Sequence, residues 1–238
     1  MVQFCTEQMS SPLKTNDSNG VKVRSYQSAD YRGCREIFTQ GMEQLIKLVA
    51  QVVFPRYCWV LAALSAFVFL AAFIYSLWLV PLYIFACFVV LSLLYVHVYL
   101  ECWKYINSCL ATDLKKIETI YMANDGCHMW VAEWNGKVVG MVGLVHNESH
   151  KPGVAELQRM SVSPACRRMG IAGKLLDELL KHAKEQNFEK VVLTTTSAQT
   201  PAIRLYKKYG FKLIALFPYP QKLLADLQYS SFDLKLNY

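Results

Sequence analysis

The sequence lacks charge over one long stretch, because residues 57–100 contain no Asp, Glu, Lys or Arg. Charged residues make up only 18% of the chain, whereas a soluble domain usually has about 25%. Intrinsic disorder of the chain as a whole is excluded, because the chain is 54% hydrophobic and has enough apolar surface to offset the entropy of ordering. We therefore expect one soluble domain together with one segment that contacts the lipid bilayer.

The sequence also lacks the usual signals of metal and nucleic-acid binding. The eight cysteines form no CxxC motif, so neither a zinc site nor a thiol-redox site is expected. Scattered thiols are typical of a reducing compartment. The net charge of +7 is not gathered into a basic arm, and we expect no nucleic-acid partner. A positive net charge instead suits an anionic ligand or an anionic membrane face.

The uncharged stretch is too long for one straight membrane span. A helix over residues 57–100 would be roughly 66 Å long, against a hydrocarbon core of about 30 Å. Two spans that turn near Pro81 fit, because proline breaks helices. A re-entrant hairpin and a single tilted span stay open as alternatives. Lys47, Arg56 and Lys104 flank the stretch and the turn has no basic residue, so the positive-inside rule predicts that both ends are cytosolic.

Outside this stretch the patterns alternate between strand and helix. Asn135-Gly136 between two apolar runs predicts a β-hairpin, because both turn positions need positive φ. We predict strands at 21–25, 128–134, 137–146, 154–162, 191–196, 211–217 and 231–236, and helices from Asp30 to about residue 50, at 112–122, at 171–186 and at 200–209. This order predicts an α/β fold with a mixed sheet. We expect a disordered tail at 1–20, one domain made from 21–50 and 113–238, and an inserted membrane hairpin at 57–100.

Residues 167–174 lie between an apolar strand and an amphipathic helix. Such a junction presents free backbone amides and the positive end of the helix dipole, and small residues let a phosphate approach the backbone closely. The segment is neither GxxxxGK[ST] nor GxGxxG. It predicts a diphosphate site made by Arg167, Arg168, Met169, Gly170, Ile171, Ala172, Gly173 and Lys174.

The pattern R-x-x-G-x-A at 167–172 resembles the pyrophosphate loop of the GNAT acetyltransferases. The preceding LQRMSV at 157–162 and the following segment 199–211, with Leu205-Tyr206 and Gly210-Phe211, extend the resemblance. It covers residues 21–50 and about 113–236. The resemblance implies a mixed, splayed sheet flanked by helices, here with an inserted hydrophobic transmembrane helical hairpin. It also implies acetyl-CoA as the co-substrate, without a metal.

The resemblance assigns roles to individual residues. The backbone of Met160, Ser161 and Val162 would pair with the pantetheine arm, and amides there would polarise the thioester carbonyl. Gln199, where many relatives carry Asn, would contact the cofactor. Tyr206 matches the family's tyrosine near the thioester sulfur, where a phenol protonates the leaving thiolate; a tyrosine packed in the core is the alternative.

The acceptor amine must lose a proton before it attacks. Glu156, on the cofactor-binding strand, is the candidate base, directly or through water, and Glu133 on the neighbouring hairpin is the second candidate. Either carboxylate could instead be an ordinary surface group. Three histidines, His146, His150 and His182, are expected to take no part, because no spacing singles them out.

A GNAT domain with a hydrophobic block after its first helix resembles the camello-like family, which includes cysteine S-conjugate N-acetyltransferases and the aspartate N-acetyltransferase of the endoplasmic reticulum. The likeness rests on VRSYQSAD, on WVAE and KVVGMVG, and on MSVSP before RRMGIA. It implies an N-acetyltransferase of the endoplasmic reticulum membrane, with its catalytic domain facing the cytosol. The expected acceptor is a small amino-acid derivative such as a cysteine S-conjugate. Acetylation of protein lysines or N-termini, and a non-catalytic membrane scaffold, are the alternatives.

Overall fold

A computed structural model describes residues 20–148 and 150–236. The tail expected at 1–20 therefore lies outside the described residues apart from Gly20. The strands are β1 (Lys22–Ser25), β2 (His128–Trp134), β3 (Lys137–Val145), β4 (Val154–Val162), β5 (Lys190–Thr196), β6 (Lys212–Pro218) and β7 (Gln228–Lys235). The α-helices are α1 (Tyr31–Ile74), α2 (Leu79–Ala111), α3 (Ile171–Glu185) and α4 (Thr200–Lys208).

The seven strands form one mixed sheet in the order β1-β2-β3-β4-β5-β7-β6. The predicted hairpin is confirmed, since Asn135 (φ 51°) and Gly136 (φ 71°) make the turn between β2 and β3. Strands β4 and β5 are parallel but pair only where Val154–Glu156 meet residues 190–192. Beyond Glu156 the two strands separate, which confirms the predicted splayed sheet.

Both faces of the sheet are covered at β2, so this strand is apolar on both sides. Trp130 and Ala132 face the cluster that contains the buried stripe of α3, formed by Ile171, Leu175, Leu176 and Leu179. Met129 and Val131 alternate to the other face. There they pack with Phe38 of α1 and with the short helical segments that follow α2, Asp113–Lys115 and Glu118–Met122.

The first helix does not end before the hydrophobic stretch. Helix α1 runs without interruption from Tyr31 through Pro55 to Ile74, so the soluble helix and the first hydrophobic span are one element. The chain reverses at residues 75–78, and α2 begins at Leu79. Pro81 was expected near the turn, but it lies inside the first turn of α2. A missing amide hydrogen costs nothing there, because the first amides of a helix have no intrahelical acceptor.

The two long helices form an antiparallel hairpin whose ends meet on the soluble domain. Arg35 near the start of α1 donates hydrogen bonds from Nη1 to the carbonyls of Leu110 (2.7 Å) and Leu114 (2.9 Å) at the end of α2. Both helices are long and apolar enough to cross a membrane. Large apolar side chains such as Phe67 and Phe88 are exposed on them. The hairpin therefore returns to the side from which it leaves.

The base of the hairpin packs against the loop between β6 and β7. One buried cluster joins the two long helices to this loop: Leu45, Ile46, Val49, Val53, Leu94, Val98, Leu224 and Leu227. Tyr57 donates a hydrogen bond to the carbonyl of Leu223 (2.9 Å), and His97 Nε2 lies 3.1 Å from Gln221 Oε1. Both ends of the uncharged stretch are therefore partly covered by protein. The span of α1 beyond residue 57 is roughly 25 Å long, close to the hydrocarbon thickness of about 30 Å.

Candidate active site

A cavity of about 310 Å³ lies where β4 and β5 separate. Strand β4 contributes residues 156–161 to its wall and β5 contributes residues 193–196. The hairpin helices add Phe38, Met42, Leu45, Val49, Glu101, Cys102 and Tyr105, and the C-terminal part of the chain adds Tyr219, Leu224, Leu227 and Tyr229. The base of the helical hairpin is thus a wall of this cavity.

The cavity brings together five of the residues expected at the site from the sequence: Glu156, Met160, Ser161, Gln199 and Tyr206. Val162 and the diphosphate segment 167–174 are not part of its wall. Strand β4 leads from the cavity to the short loop that precedes α3. The cavity residues and the diphosphate segment can therefore each hold one part of a long ligand.

Tyr206 projects from α4 and only 5% of it is exposed. Its ring packs edge-on against Phe211, with 5.7 Å between the ring centroids. Burial raises the pKa of the Tyr206 phenol above its ordinary value, because the low-dielectric interior disfavours the phenolate. The hydroxyl therefore keeps its proton at neutral pH and can act as a proton donor.

Glu156 has two polar neighbours on one carboxylate oxygen. Gln158 donates a hydrogen bond from Nε2 to Glu156 Oε2 (2.6 Å), and His150 Nε2 lies 3.4 Å from the same oxygen. The Asn147 amide donates to His150 Nδ1 (3.2 Å), so the hydrogen of a neutral His150 ring is on Nε2, facing Glu156. His150 was expected to take no part, yet it contacts the candidate base.

The other sequence candidates lie elsewhere. Glu133 Oε2 accepts a hydrogen bond from Arg24 Nε (2.8 Å), and Arg24 also binds Asp30 (2.6 Å). Glu133 is not part of the cavity wall. His182 lies against the ring of Trp130 at 5.1 Å, away from the cavity. These contacts indicate structural roles.

Strand β4 bulges at Arg159, which has φ 56°. Leu157 and Gln158 pair with residues 144 and 143 of β3, while Ser161 pairs with Met141. Two residues of β4 therefore oppose one residue of β3, as in a β-bulge. Positive φ is uncommon outside glycine, and here it lies three residues beyond Glu156, the last residue of β4 that pairs with β5.

Arg159 lines the cavity and was missed by the sequence reasoning. Its Nε and Nη2 donate to the two carboxylate oxygens of Asp113 (2.6 and 2.8 Å), and Nη1 donates to Tyr105 Oη (3.0 Å). The guanidinium lies over the ring of Phe38, 5.5 Å from its centroid. The sequence shows only that Arg159 is a single arginine within an otherwise mostly apolar strand. That position does not predict which side chains it contacts.

Beyond the bulge, the backbone of β4 is paired on one side only. Ser161 and Val162 pair with residues 141 and 140 of β3. Among the described residues, the opposite edge of β4 has no strand partner after Glu156. An unpaired strand edge offers N–H and C=O groups to an extended ligand, which suits the expected contacts of Met160, Ser161 and Val162.

The diphosphate segment has a built-in opening at Gly170. This residue precedes α3 with φ 73° and has no atom within 4 Å of where a Cβ would stand. Lys174 makes the first helical hydrogen bond, from its amide to the carbonyl of Gly170 (3.1 Å). The first amides of α3 therefore have no intrahelical acceptor. Together with Arg167 and Arg168 they form an arrangement that suits a phosphate.

Similarity to known proteins was found at three levels. A model described as "Acetyltransferase (GNAT) family" matches residues 95–211. The "Probable N-acetyltransferase camello" of Xenopus laevis is 31% identical over 218 residues, which are 90% of this chain and 94% of that protein. The "N-acetyltransferase 8" of Mus musculus is 32% identical over 196 residues, covering 80% of this chain and 84% of that protein.

A similar fold occurs in a crystal structure titled as an acetyltransferase of the GNAT family from Staphylococcus aureus Mu50. The TM-score is 0.56 at 18% identity, and the match covers 91% of this chain and 99% of that chain. At this identity the likeness concerns the fold alone. It extends over nearly the whole of both chains.

Proposed function

The chain belongs to the GNAT acetyltransferase family, in the group of the camello and N-acetyltransferase 8 proteins, and from this membership we propose its acceptor and its catalytic residues. The activity is acetyl-CoA-dependent N-acetylation. The proposed acceptor is the α-amine of a small amino-acid derivative such as a cysteine S-conjugate. The proposed setting is the endoplasmic reticulum membrane, with the catalytic domain facing the cytosol.

The observation that carries the proposal is the shared cavity of Glu156 and Tyr206. One comes from β4 and the other from α4, which follows β5, so the two groups stand on either side of the opening between the strands. Acetyl transfer needs a base that takes a proton from the acceptor and an acid that gives a proton to the leaving sulfur. A carboxylate and a buried, protonated phenol supply these two functions.

The reaction can be followed through the groups of this chain. Bound acetyl-CoA supplies the activated acetyl group as a thioester. Residues 167–174 hold its diphosphate, the free edge of β4 at Met160 and Val162 holds the pantetheine arm, and Gln199 lies at the cavity wall beside it. Glu156 takes a proton from the acceptor ammonium, directly or through water, and the free amine forms a bond to the thioester carbonyl carbon. Backbone amides near Ser161 stabilise the negative charge on the carbonyl oxygen. The C–S bond then breaks, Tyr206 protonates the leaving thiolate, and the second proton that the amine nitrogen loses restores the phenol.

The acceptor side of the cavity is partly apolar. Met42 and Leu45 of α1 and Leu224 and Leu227 of the β6–β7 loop line it. An apolar substituent on sulfur would pack against these side chains, as ligand pockets combine apolar walls with a few polar groups. This composition supports a cysteine conjugate with an apolar S-substituent over a fully polar amine.

The acceptor class is tested with full-length protein in detergent, by release of CoA thiol from acetyl-CoA. The acceptors are S-benzyl-cysteine, aspartate and a lysine-containing peptide. We expect the highest kcat/KM with S-benzyl-cysteine, and an N-acetylated product by mass spectrometry. A preference for the peptide would replace the proposal with protein acetylation. No release with any acceptor, despite bound acetyl-CoA, would indicate a scaffold.

The membrane orientation rests on charge and topology. The hairpin reverses at 75–78, so both of its ends lie on one side, and Lys47, Arg56 and Lys104 flank these ends. The positive-inside rule places such ends in the cytosol. Asn147-Glu148-Ser149 is a glycosylation sequon that should stay unmodified in endoplasmic reticulum membranes. A sequon in a lengthened turn at 75–78 should be glycosylated, and a glycan on Asn147 would reverse the orientation.

A further inference from the structure

We propose that Arg159 binds the carboxylate of the acceptor, and that Asp113 and Tyr105 hold its guanidinium in the orientation that this requires. The inference rests on the proposed function, because it needs an acceptor that carries a carboxylate beside its amine. It adds a specificity-determining residue to the cavity, and it gives the end of the membrane hairpin a part in acceptor recognition.

The charges of the cavity wall single out Arg159. Among the described residues that line the cavity, Arg159 is the one cation, and the anions are Glu101 and Glu156. An acceptor carboxylate in this cavity would be repelled by the two glutamates. Arg159 is therefore the group that can offset that repulsion, and an α-amino acid would have its cationic end toward Glu156 and its anionic end toward Arg159.

The bulge in β4 explains how both groups reach one cavity. In a regular strand, residues three positions apart point to opposite faces of the sheet. Glu156 and Arg159 would then be on different sides. The extra residue at the bulge, with Arg159 at φ 56°, shifts the alternation by one, and both side chains line the same cavity.

Three of the five N–H groups of the Arg159 guanidinium bind Asp113 and Tyr105. Asp113 takes one from Nε and one from Nη2, and Tyr105 takes one from Nη1. The Cys109 thiol and the Tyr121 hydroxyl also interact with the guanidinium. Carboxylates bind to guanidinium groups through paired N–H donors. An acceptor carboxylate would therefore take the second N–H of each Nη in place of these uncharged neighbours.

Asp113 is itself held in place. Its Oδ2 accepts a hydrogen bond from the hydroxyl of Tyr121 (2.8 Å), and that hydroxyl lies 3.2 Å from Gln158 Oε1. Gln158 in turn donates to Glu156. The polar contacts therefore run from Arg159 through Asp113 and Tyr121 back to the candidate base, and the two ends of the acceptor site are parts of one connected set of side chains.

The test compares two acceptors that differ only in the carboxylate, S-benzyl-cysteine and S-benzyl-cysteamine. The wild-type full-length protein in detergent should prefer the carboxylated acceptor in kcat/KM. In Arg159→Met the preference should fall by about 10- to 100-fold, the range expected for a hydrogen-bonded charge pair. The loss should appear in KM for S-benzyl-cysteine, and kcat/KM for S-benzyl-cysteamine should fall by a smaller factor.

Two further variants separate recognition from folding. Arg159→Lys keeps the charge without the fork and should recover part of the preference. Arg159→Met combined with Asp113→Asn avoids an unpaired buried carboxylate, and it should show the same lost preference if Arg159→Met alone does not fold. Arg56→Met is the matched control, because Arg56 is over half exposed and pairs with Asp226 outside the cavity wall.

A preference that survives unchanged in a folded Arg159 variant with bound acetyl-CoA overturns the inference and leaves the proposed function standing. If the wild-type protein uses both acceptors with equal kcat/KM, the inference about Arg159 is likewise overturned and the proposed function stands. Failure of the wild-type protein to acetylate either acceptor, while acetyl-CoA binds, overturns the proposed acceptor class and the inference with it.

Discussion

Asp113 and Arg159 are 46 positions apart in the sequence, and two hydrogen bonds of 2.6 and 2.8 Å join their side chains. Asp113 follows directly on the hairpin helix α2, whereas Arg159 forms the bulge of β4. The end of the hairpin is therefore fastened to the strand that carries the candidate base Glu156. The hairpin is part of the cavity rather than an anchor attached at a distance from it.

The diphosphate segment is tested by placing a side chain on Gly170. Gly170 and Gly136 have almost the same φ, 73° and 71°, and at both positions a Cβ would meet no atom within 4 Å. A valine should therefore cost similar backbone strain at either position. Only Gly170→Val should weaken acetyl-CoA binding, by roughly tenfold or more, because it covers amides that would contact a phosphate.

Calorimetric titration with acetyl-CoA measures this difference, and Gly136→Val on the β2–β3 turn is the matched control. Equal affinity in the two variants would mean that the diphosphate binds elsewhere.

Tyr206→Phe should lower kcat by about 10²- to 10⁴-fold, the usual range for loss of a general acid. Acetyl-CoA affinity should be retained, because the ring and its packing on Phe211 remain. Burial raises the pKa of the phenol above its ordinary value of about 10. At any pH below about 10, loss of the phenol proton should therefore not lower the wild-type rate. Steady-state rates across pH check both points, and an unchanged kcat would assign Tyr206 to packing.

Glu156→Gln and Glu133→Gln separate the two candidate bases. Only Glu156 lines the cavity, whereas Glu133 is paired with Arg24. Glu156→Gln should lower kcat/KM by about 10²- to 10⁴-fold, because a neutral amide cannot take the acceptor's proton. Glu133→Gln should keep the wild-type kcat/KM. The reverse result would exchange the two assignments.

A pair of partly buried histidines predicts how stability depends on pH. His128 and His182 lie with their ring centroids 5.2 Å apart, and burial lowers the pKa of each. A histidine in the unfolded chain has a pKa of about 6.5. Below that pH the unfolded chain binds more protons than the folded chain, so the free energy of unfolding is highest above pH 6.5 and falls as the pH drops through that value.

Thermal unfolding between pH 7.5 and 5.5 measures this loss of stability. His182→Gln should reduce the slope, because one of the two groups no longer titrates. A wild-type melting temperature that stays constant over this range would contradict the assignment.

Local signals predicted the strands and the short helices well. The Asn135-Gly136 turn and the apolar spacing of Leu175 and Leu179 depend only on neighbouring residues, and the structure has both elements close to the expected bounds. The exact turn of the membrane hairpin was less predictable. Proline is tolerated in the first turn of a helix as well as before one, so Pro81 did not locate the reversal at 75–78.

The cavity could be predicted only in part. Tyr206 follows from a family motif, which records positions along the chain, and Glu156 was proposed from its place on the predicted cofactor-binding strand. The parts played by Arg159, His150 and Tyr105 depend on which distant segments meet. That depends on the bulge in β4 and on the packing of α1 and α2 against the sheet, and neither is visible as a local pattern. The same holds for Met42. Its sequence neighbourhood is an ordinary amphipathic stretch, and only the structure shows that Met42 lines the cavity.

The central claim is that acetyl transfer occurs in the cavity between β4 and β5 that the hairpin helices help to form. The most direct measurement is single-turnover release of CoA thiol from acetyl-CoA-loaded protein when S-benzyl-cysteine is added. Met42→Trp, which fills the cavity from α1, is compared with Phe67→Trp on the exposed face of the same helix. We predict release by the wild-type protein and Phe67→Trp, and acetyl-CoA binding without release in Met42→Trp. Release at the wild-type rate from Met42→Trp would contradict the account.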